Sequence, residues 1–147
     1  MCDAINRFGR LVDDQAWDGL AALCADQVEL DYTAMFAGEP RVVDAAEIGG
    51  IWAARLRGFD GTQHVITNTV TEFDGDTATA VSNVVAMHVL TELGANGTLS
   101  GGGTYRMRLV RGDARWLIAG IRADVTWLLG NKDLFTAAAD RAADVTS

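Results

Sequence analysis

The stretch from Thr62 to His88 narrows the possible folds of this chain more than any other. A β-rich run from Thr62-Gln63-His64 to Phe73 meets Asp74-Gly75-Asp76, and a second β-rich run ends at Ala86-Met87-His88. Asp-Gly between alternating runs predicts a β-hairpin, because the turn needs a residue that tolerates positive φ. The chain's two histidines, His64 and His88, fall at the far ends of the two strands.

Register decides whether these histidines can act together. A two-residue turn at Asp74-Gly75 sets His64 opposite Val85 and turns His88 to the other face. A three-residue turn sets His64 opposite Ala86, with His88 its diagonal neighbour on the same face. Diagonal neighbours lie about 7–8 Å apart between Cα atoms, which leaves room for a ligand atom between the rings. On that face the hairpin would also present Ile66, Asn68 and Val70, then Ala78, Ala80, Ser82, Val84 and Ala86. Small residues under two histidines fit a cavity wall better than a filled core. Spacing alone leaves open the plainer alternative of two isolated structural histidines, since one turn residue inverts the face.

With 147 residues the chain is long enough for one domain with a substantial core. A net charge of −8 argues against nucleic acid or an anionic membrane surface as the main partner. No apolar run is long enough to span a bilayer, and the absence of an apolar N-terminal segment predicts a cytoplasmic protein. Cys2 and Cys24 are expected to be reduced thiols, neither a disulfide scaffold nor a zinc site.

Helical spacing of Ile5, Phe8, Val12 and Ala16 predicts a helix over about Asp3 to Asp14, with Asp13 a quarter turn from the apolar face. It can reach a cavity rim or serve as an ordinary surface or capping aspartate. A second short helix is expected from Trp17 to Cys24. Val28 to Phe36 alternates as a half-buried strand that puts Tyr32 and Phe36 on the apolar side, so the Tyr32 hydroxyl needs a partner or a cavity. Asp44 and Glu47 read as a capping box opening a helix to about Arg57, with Ile48, Ile51, Trp52, Arg55 and Leu56 in amphipathic spacing. After His88 the strand is expected to run on to about Leu93. Gly94 to Gly103 reads as a loop, though no helix follows to make it a phosphate site. Strands are expected over Thr104 to Arg111, with Tyr105, Met107 and Leu109 on one face. A further strand covers Arg115 to Trp127, with Leu117, Ala119, Ile121 and Val125 on one face. An Ala-rich helix over Lys132 to Ala143 closes the chain, and Asp144 to Ser147 is expected to be disordered. Segregated helices and antiparallel strands predict an α+β fold with a curved sheet and a pocket between sheet and helices. Residues 1–131 would form the main body and residues 132–147 a closing helix and tail of the same domain. Val65, Val81, Val85, Met87 and Val89 would lie on the sheet's outer face, an apolar surface suited to a homo-oligomer.

Several segments resemble the SnoaL-like proteins of the nuclear-transport-factor-2-like superfamily, and within it the scytalone dehydratases. They are Asp13-Asp14-Gln15-Ala16-Trp17-Asp18, Leu30-Asp31-Tyr32, Thr62-Gln63-His64, His88, Trp116-Leu117-Ile118-Ala119-Gly120 and Asp124-Val125-Thr126-Trp127. The resemblance implies a cone-shaped α+β barrel, its mostly antiparallel sheet wrapped around N-terminal helices over a deep pocket. It implies that Asp13, Tyr32, His64 and His88 carry the chemistry, a tyrosine holding the substrate carbonyl through water while a histidine and an Asp–His pair handle protons. It also implies assembly as a dimer or trimer. Val12 stands where those dehydratases have a second tyrosine, and Gly103 and Tyr105 where they have a serine and an asparagine. These departures weigh against scytalone itself as substrate.

Elimination of water beta to a carbonyl needs a base, a donor to the enolate oxygen and an acid for the leaving hydroxyl. Histidine suits acid and base roles because its ordinary pKa is about 6.5. His64 is assigned the proton shuttle, Tyr32 the carbonyl and Asp13 a hydrogen bond from His88. Asn68, Ser82, Val84, Tyr105, Trp52 and Phe36 are the expected substrate contacts. The expected ligand is a small apolar hydroxy-carbonyl compound, cyclic or polyketide-like. No metal or cofactor is implied: the ligand spacing of a metal site and a nucleotide fingerprint are both lacking. The alternatives are a polyketide cyclase or ketone isomerase in the same pocket, a non-catalytic small-molecule binder, and an epoxide hydrolase built on Asp-Arg-Asp. The last is disfavoured because alternation turns Arg106, Arg108 and Arg122 away from the inward sets.

Overall fold

The computed structural model describes residues 2–145. Helix α1 (Cys2–Asp13) leads into two 3₁₀ turns, Trp17–Gly19 and Ala21–Leu23, where a single short helix was expected. Strand β1 (Cys24–Asp31) and strand β2 (Arg41–Asp44) precede helix α2 (Ala45–Leu56). Strands β3 (Gly61–Asp74), β4 (Thr77–Val89), β5 (Thr98–Arg111) and β6 (Trp116–Gly130) follow, then helix α3 (Leu134–Val145). The expected disorder of Asp144 does not hold, since it lies within α3, and Thr146 and Ser147 lie outside the described residues.

The fold is α+β, with one six-stranded sheet in the order β2-β1-β6-β5-β4-β3. Strands β3 to β6 form an antiparallel meander, and β1 pairs with β6 in parallel. The sheet curls but stays open, since β2 and β3 are its two edges. Ile5, Phe8 and Val12 of α1 and Ile48, Trp52 and Leu56 of α2 fill the concave side against Tyr105, Met107, Leu109, Ile118 and Ile121. Helix α2 starts as expected, with the Glu47 carboxylate accepting the Asp44 N–H at 3.0 Å.

Strand β1 stops earlier than its alternation suggested. Asp31 Oδ1 accepts from the Thr33 N–H at 3.2 Å and its hydroxyl at 2.7 Å, closing a local turn that competes with the ladder. Tyr32 is therefore the first residue past β1, and residues 33–40 turn out of the sheet.

The central hairpin follows neither expected turn. Asp74 pairs with Thr77 across Gly75-Asp76, with Gly75 at φ 57°. A bulge between Thr67 and Val70 then takes up one residue, so that His64 pairs with Ala86. Asn68, at φ 55°, is the residue that absorbs it. The bulge corrects two expectations: Asn68 is exposed and Val70 points outward, while Thr69 takes the inward place opposite Ser82.

Gly101, Gly102 and Gly103 belong to β5, not to a loop. A Cβ on Gly102 would collide with the Trp127 indole, and one on Gly101 would come within 2.7 Å of Leu128 Cδ2. The glycines let β6 side chains lie flat across the strand. Strand β4 ends at Val89, where the Leu90 N–H turns to donate to the Gly97 carbonyl at 2.8 Å. A second bulge, at Ala119, puts Ile118 rather than Leu117 in the core, and its carbonyl accepts from Arg108 Nη2 at 2.9 Å.

Candidate active site

Edge position explains the best-defined polar cluster in the molecule. On an edge strand, alternate backbone N–H groups face away from the sheet and lack a ladder partner. The His64 N–H is bonded instead to the carboxylate of Asp13, at 3.0 Å to Oδ1 and 2.8 Å to Oδ2. Asp13 sits at the C-terminal end of α1, which packs across β3. The same carboxylate reaches His64 Nδ1 at 2.7 Å. Both side chains are nearly enclosed, His64 7% and Asp13 12% exposed. A carboxylate held by the backbone of the residue whose ring it contacts has little freedom to move. With Nδ1 engaged, His64 keeps Nε2 for the cavity.

This arrangement corrects the pairing of Asp13 with His88. One strand further into the sheet, His88 lies opposite Thr62, and its Nδ1 is 3.2 Å from Thr62 Oγ1. Phe59 and Phe135 flank its ring, each with a centroid 4.9 Å away. Burial, then the neighbouring His64, depress its pKa to about 4 against an opposing pull from Asp13. His88 is thus neutral at ordinary pH. The two imidazole centroids are 5.9 Å apart.

Both rings border a cavity of about 370 Å³. Tyr32, Trp52, Tyr105 and Phe36 border it as well, and Ala86 opposite His64 adds the small surface expected of the hairpin. Edge-to-face contacts lock the aromatic wall: Tyr32 to Trp52 and Phe8 to Trp52 at 5.5 Å, Tyr32 to Tyr105 at 6.4 Å. Tyr32 Oη is buried and makes no well-formed hydrogen bond among the described residues, its nearest polar neighbour being the Tyr105 hydroxyl. Burial first, then the nearby Tyr105 hydroxyl, push the Tyr32 phenol well above its ordinary pKa, and burial raises Tyr105 to about 12. Both phenols stay protonated.

Three expected contacts do not reach the cavity. Asn68 is on the solvent side at the bulge, Ser82 is bonded to Thr69 Oγ1 at 2.8 Å, and Val84 is packed in the core. Phe135 was missed. It caps His88 and touches Phe36 at 5.3 Å and Phe59 at 5.5 Å, and a lone Leu134-Phe135 pair in an Ala-rich helix was the available signal. Thr62 was also missed as a partner of His88, although the correct register makes them direct neighbours. Among the described residues, no group of three or more His, Cys, Asp or Glu side chains is placed to hold a metal ion, and no helix is long and apolar enough to cross a membrane.

The family model of the SnoaL-like domain matches residues 1–122. No curated protein sequence matches the chain. Among solved structures, the Kfla4162 protein of Kribbella flavida is similar, with a TM-score of 0.85 at 22% identity, over 92% of this chain and 93% of that one. A candidate scytalone dehydratase from Novosphingobium aromaticivorans has a TM-score of 0.72 at 20% identity, over 86% and 82% of the two chains. The hexachlorocyclohexane dehydrochlorinase LinA-type3 from Novosphingobium barchaimii has a TM-score of 0.71 at 17% identity, over 86% and 84%.

A buried imidazole with a pKa near 4 makes stability depend on pH. The unfolded chain takes up a proton near pH 6.5 that the folded chain refuses until about pH 4. Stability is therefore undiminished above pH 6.5 and falls as pH drops from about 6.5 to about 4, by up to about 3 kcal/mol. Urea denaturation across that window should show a shallower pH slope for His88→Gln than for the native chain. Equal slopes would contradict the assignment.

Proposed function

The chain belongs to the SnoaL-like domain family, and on that footing we propose that it is a cofactor-independent lyase, a dehydratase removing water beta to a carbonyl from a cyclic or polyketide-like small molecule. The observation that carries this reading is the Asp13–His64 pair beside a cavity that also holds a protonated, unpartnered phenol. Asp13 accepts from His64 Nδ1–H, which fixes the tautomer and strengthens Nε2 as a base, as an orienting carboxylate does in a triad. Tyr32 donates to the substrate carbonyl and stabilises the enolate oxygen as charge develops. His64 Nε2 takes the alpha proton, and the electron pair of that C–H bond forms the new double bond. The C–O bond beta to the carbonyl breaks, and the departing hydroxide takes the proton from His64 and leaves as water. With Thr62 donating to His88 Nδ1, neutral His88 offers Nε2–H to the leaving oxygen. The similar dehydrochlorinase is named for another elimination. A buried donor without a partner favours a substrate with a carbonyl acceptor, since a halocarbon would leave it unpaired.

A native preparation incubated with β-hydroxy ketones on a ring should yield products lighter by one water. His64→Gln should lower kcat by about 10²–10⁴, and Tyr32→Phe by about 10²–10³. Unchanged turnover in His64→Gln would remove the assignment. Products of unchanged mass would favour the isomerase or cyclase reading of the same pocket.

The reading extends to assembly as a dimer or trimer. Val65, Val85, Met87, Trp127 and Leu129 are exposed on the outer side of the sheet, where a second copy would cover apolar surface. Light scattering should give two or three times the chain mass of 15.7 kDa, and a monomer would contradict it.

A further inference from the structure

The mouth of the cavity is chemically unlike its floor. Its lining includes two guanidinium groups, Arg41 at the start of β2 and Arg55 on α2. Arg55 lies one turn beyond Trp52 on the same face of α2, so the helix that supplies the aromatic wall also supplies the cation. The Arg55 guanidinium carbon is 3.8 Å from the centre of the Phe36 ring, which holds the planar group in place while its N–H edge stays available.

Five of the other nine arginines in this acidic chain have carboxylate partners: Arg7 with Asp3, Arg10 with Asp14, Arg111 with Asp76, Arg122 with Asp124 and Arg141 with Asp60. Arg57, Arg106, Arg108 and Arg115 form no ion pair among the described residues, but Arg41 and Arg55 are the two that line the cavity. Among the described residues no carboxylate forms an ion pair with Arg41 or Arg55, although Glu39 also lines the mouth and Glu47 lies in the adjoining groove. Both arginines border that adjoining groove as well. Partial burial, then repulsion from Arg41, lower the Arg55 pKa. Two like charges gathered at one opening, against the single lining carboxylate of Glu39, form a local positive site in a chain of net charge −8.

We propose that the mouth is an anion subsite, in which Arg41 and Arg55 bind a carboxylate at the end of the substrate remote from the reacting carbon. This rests on the cavity being the reaction site. The substrate is then a hydroxy-carbonyl compound with a ring between its two polar ends: the carbonyl at Tyr32 and His64, the ring against Trp52 and Tyr105, the carboxylate at the two guanidiniums. Guanidinium is the group best matched to a carboxylate, because its fork donates two parallel bonds.

The test uses β-naphthoate and its uncharged counterpart β-naphthamide, with tryptophan fluorescence as readout, since Trp52 lines the cavity. Native protein should bind the naphthoate about tenfold or more tightly than the amide. In the double variant Arg41→Gln/Arg55→Gln the preference should vanish while amide affinity holds. The single variants Arg41→Gln and Arg55→Gln should each give an intermediate preference, and they provide a reading if the double variant folds poorly. Equal affinity for both probes in the native protein, or a preference surviving in all three variants, would overturn the proposal. Failure of the reaction reading is seen separately. Charge preference without water loss from any hydroxy ketone would leave the subsite standing. His64-dependent water loss without charge preference would leave the reaction standing and remove the subsite.

Discussion

One carboxylate ties together the two parts of this molecule on which any chemistry depends. Asp13 closes α1, takes up an edge-strand N–H that the sheet cannot satisfy, and in the same contact fixes the ring of His64. Charge-assisted bonds of this kind contribute about 1.5–3 kcal/mol each, so the contact pins the helix to β3 as well as orienting the imidazole. The strand has to be an edge for this to happen. In the middle of the sheet, the His64 N–H would be spent on a neighbouring strand and Asp13 would have no backbone anchor beside the ring.

The rest of the site is arranged around that anchor by polarity. Behind His64, the cavity floor is buried enough to keep His88 neutral and to raise both phenols further above their ordinary pKa. Helix α3 completes the enclosure with Phe135 and is fastened at its far end by Arg141, which pairs with Asp60 at 2.7 Å. Asp60 also accepts from the N–H and hydroxyl of Thr91, and these bonds hold its carboxyl down to about 2. A single aspartate therefore joins the turn before β3, the turn after β4 and the closing helix, which are the elements around His88. Toward solvent, the wall changes from aromatic to cationic. A ligand entering with its carbonyl end first would meet these surfaces in a fixed order.

Much of this was legible in the residues. Alternation placed the hairpin and the small inward side chains of β4, and the turn signal put the histidines near one another. The register came out as the same-face alternative by a different route, a later two-residue turn and a bulge at Asn68. Bulges carry little local signal, since Asn68 in a β-rich run looks like any inward strand residue, and so Asn68 and Val70 were expected on the wrong face. The glycine run was misread for a related reason. Local composition marks Gly101-Gly102-Gly103 as a loop, and only the crossing side chains of Trp127 and Leu128, residues distant in sequence, make it a strand. The partner of Asp13 depended on which strand is the edge, a property of the whole sheet. Phe135 and the two mouth arginines come from segments whose local pattern is ordinary, and their roles arise only when α2 and α3 close over the cavity.

The central claim is that Asp13 fixes His64 with a proton on Nδ1 and a free electron pair on Nε2. Nitrogen-15 NMR of the histidine side chains reports this directly. The account predicts that neutral His64 is in the Nδ1–H tautomer in the native chain and loses that single form in Asp13→Ala. A native His64 carrying its proton on Nε2, or a tautomer indifferent to the loss of Asp13, would contradict it.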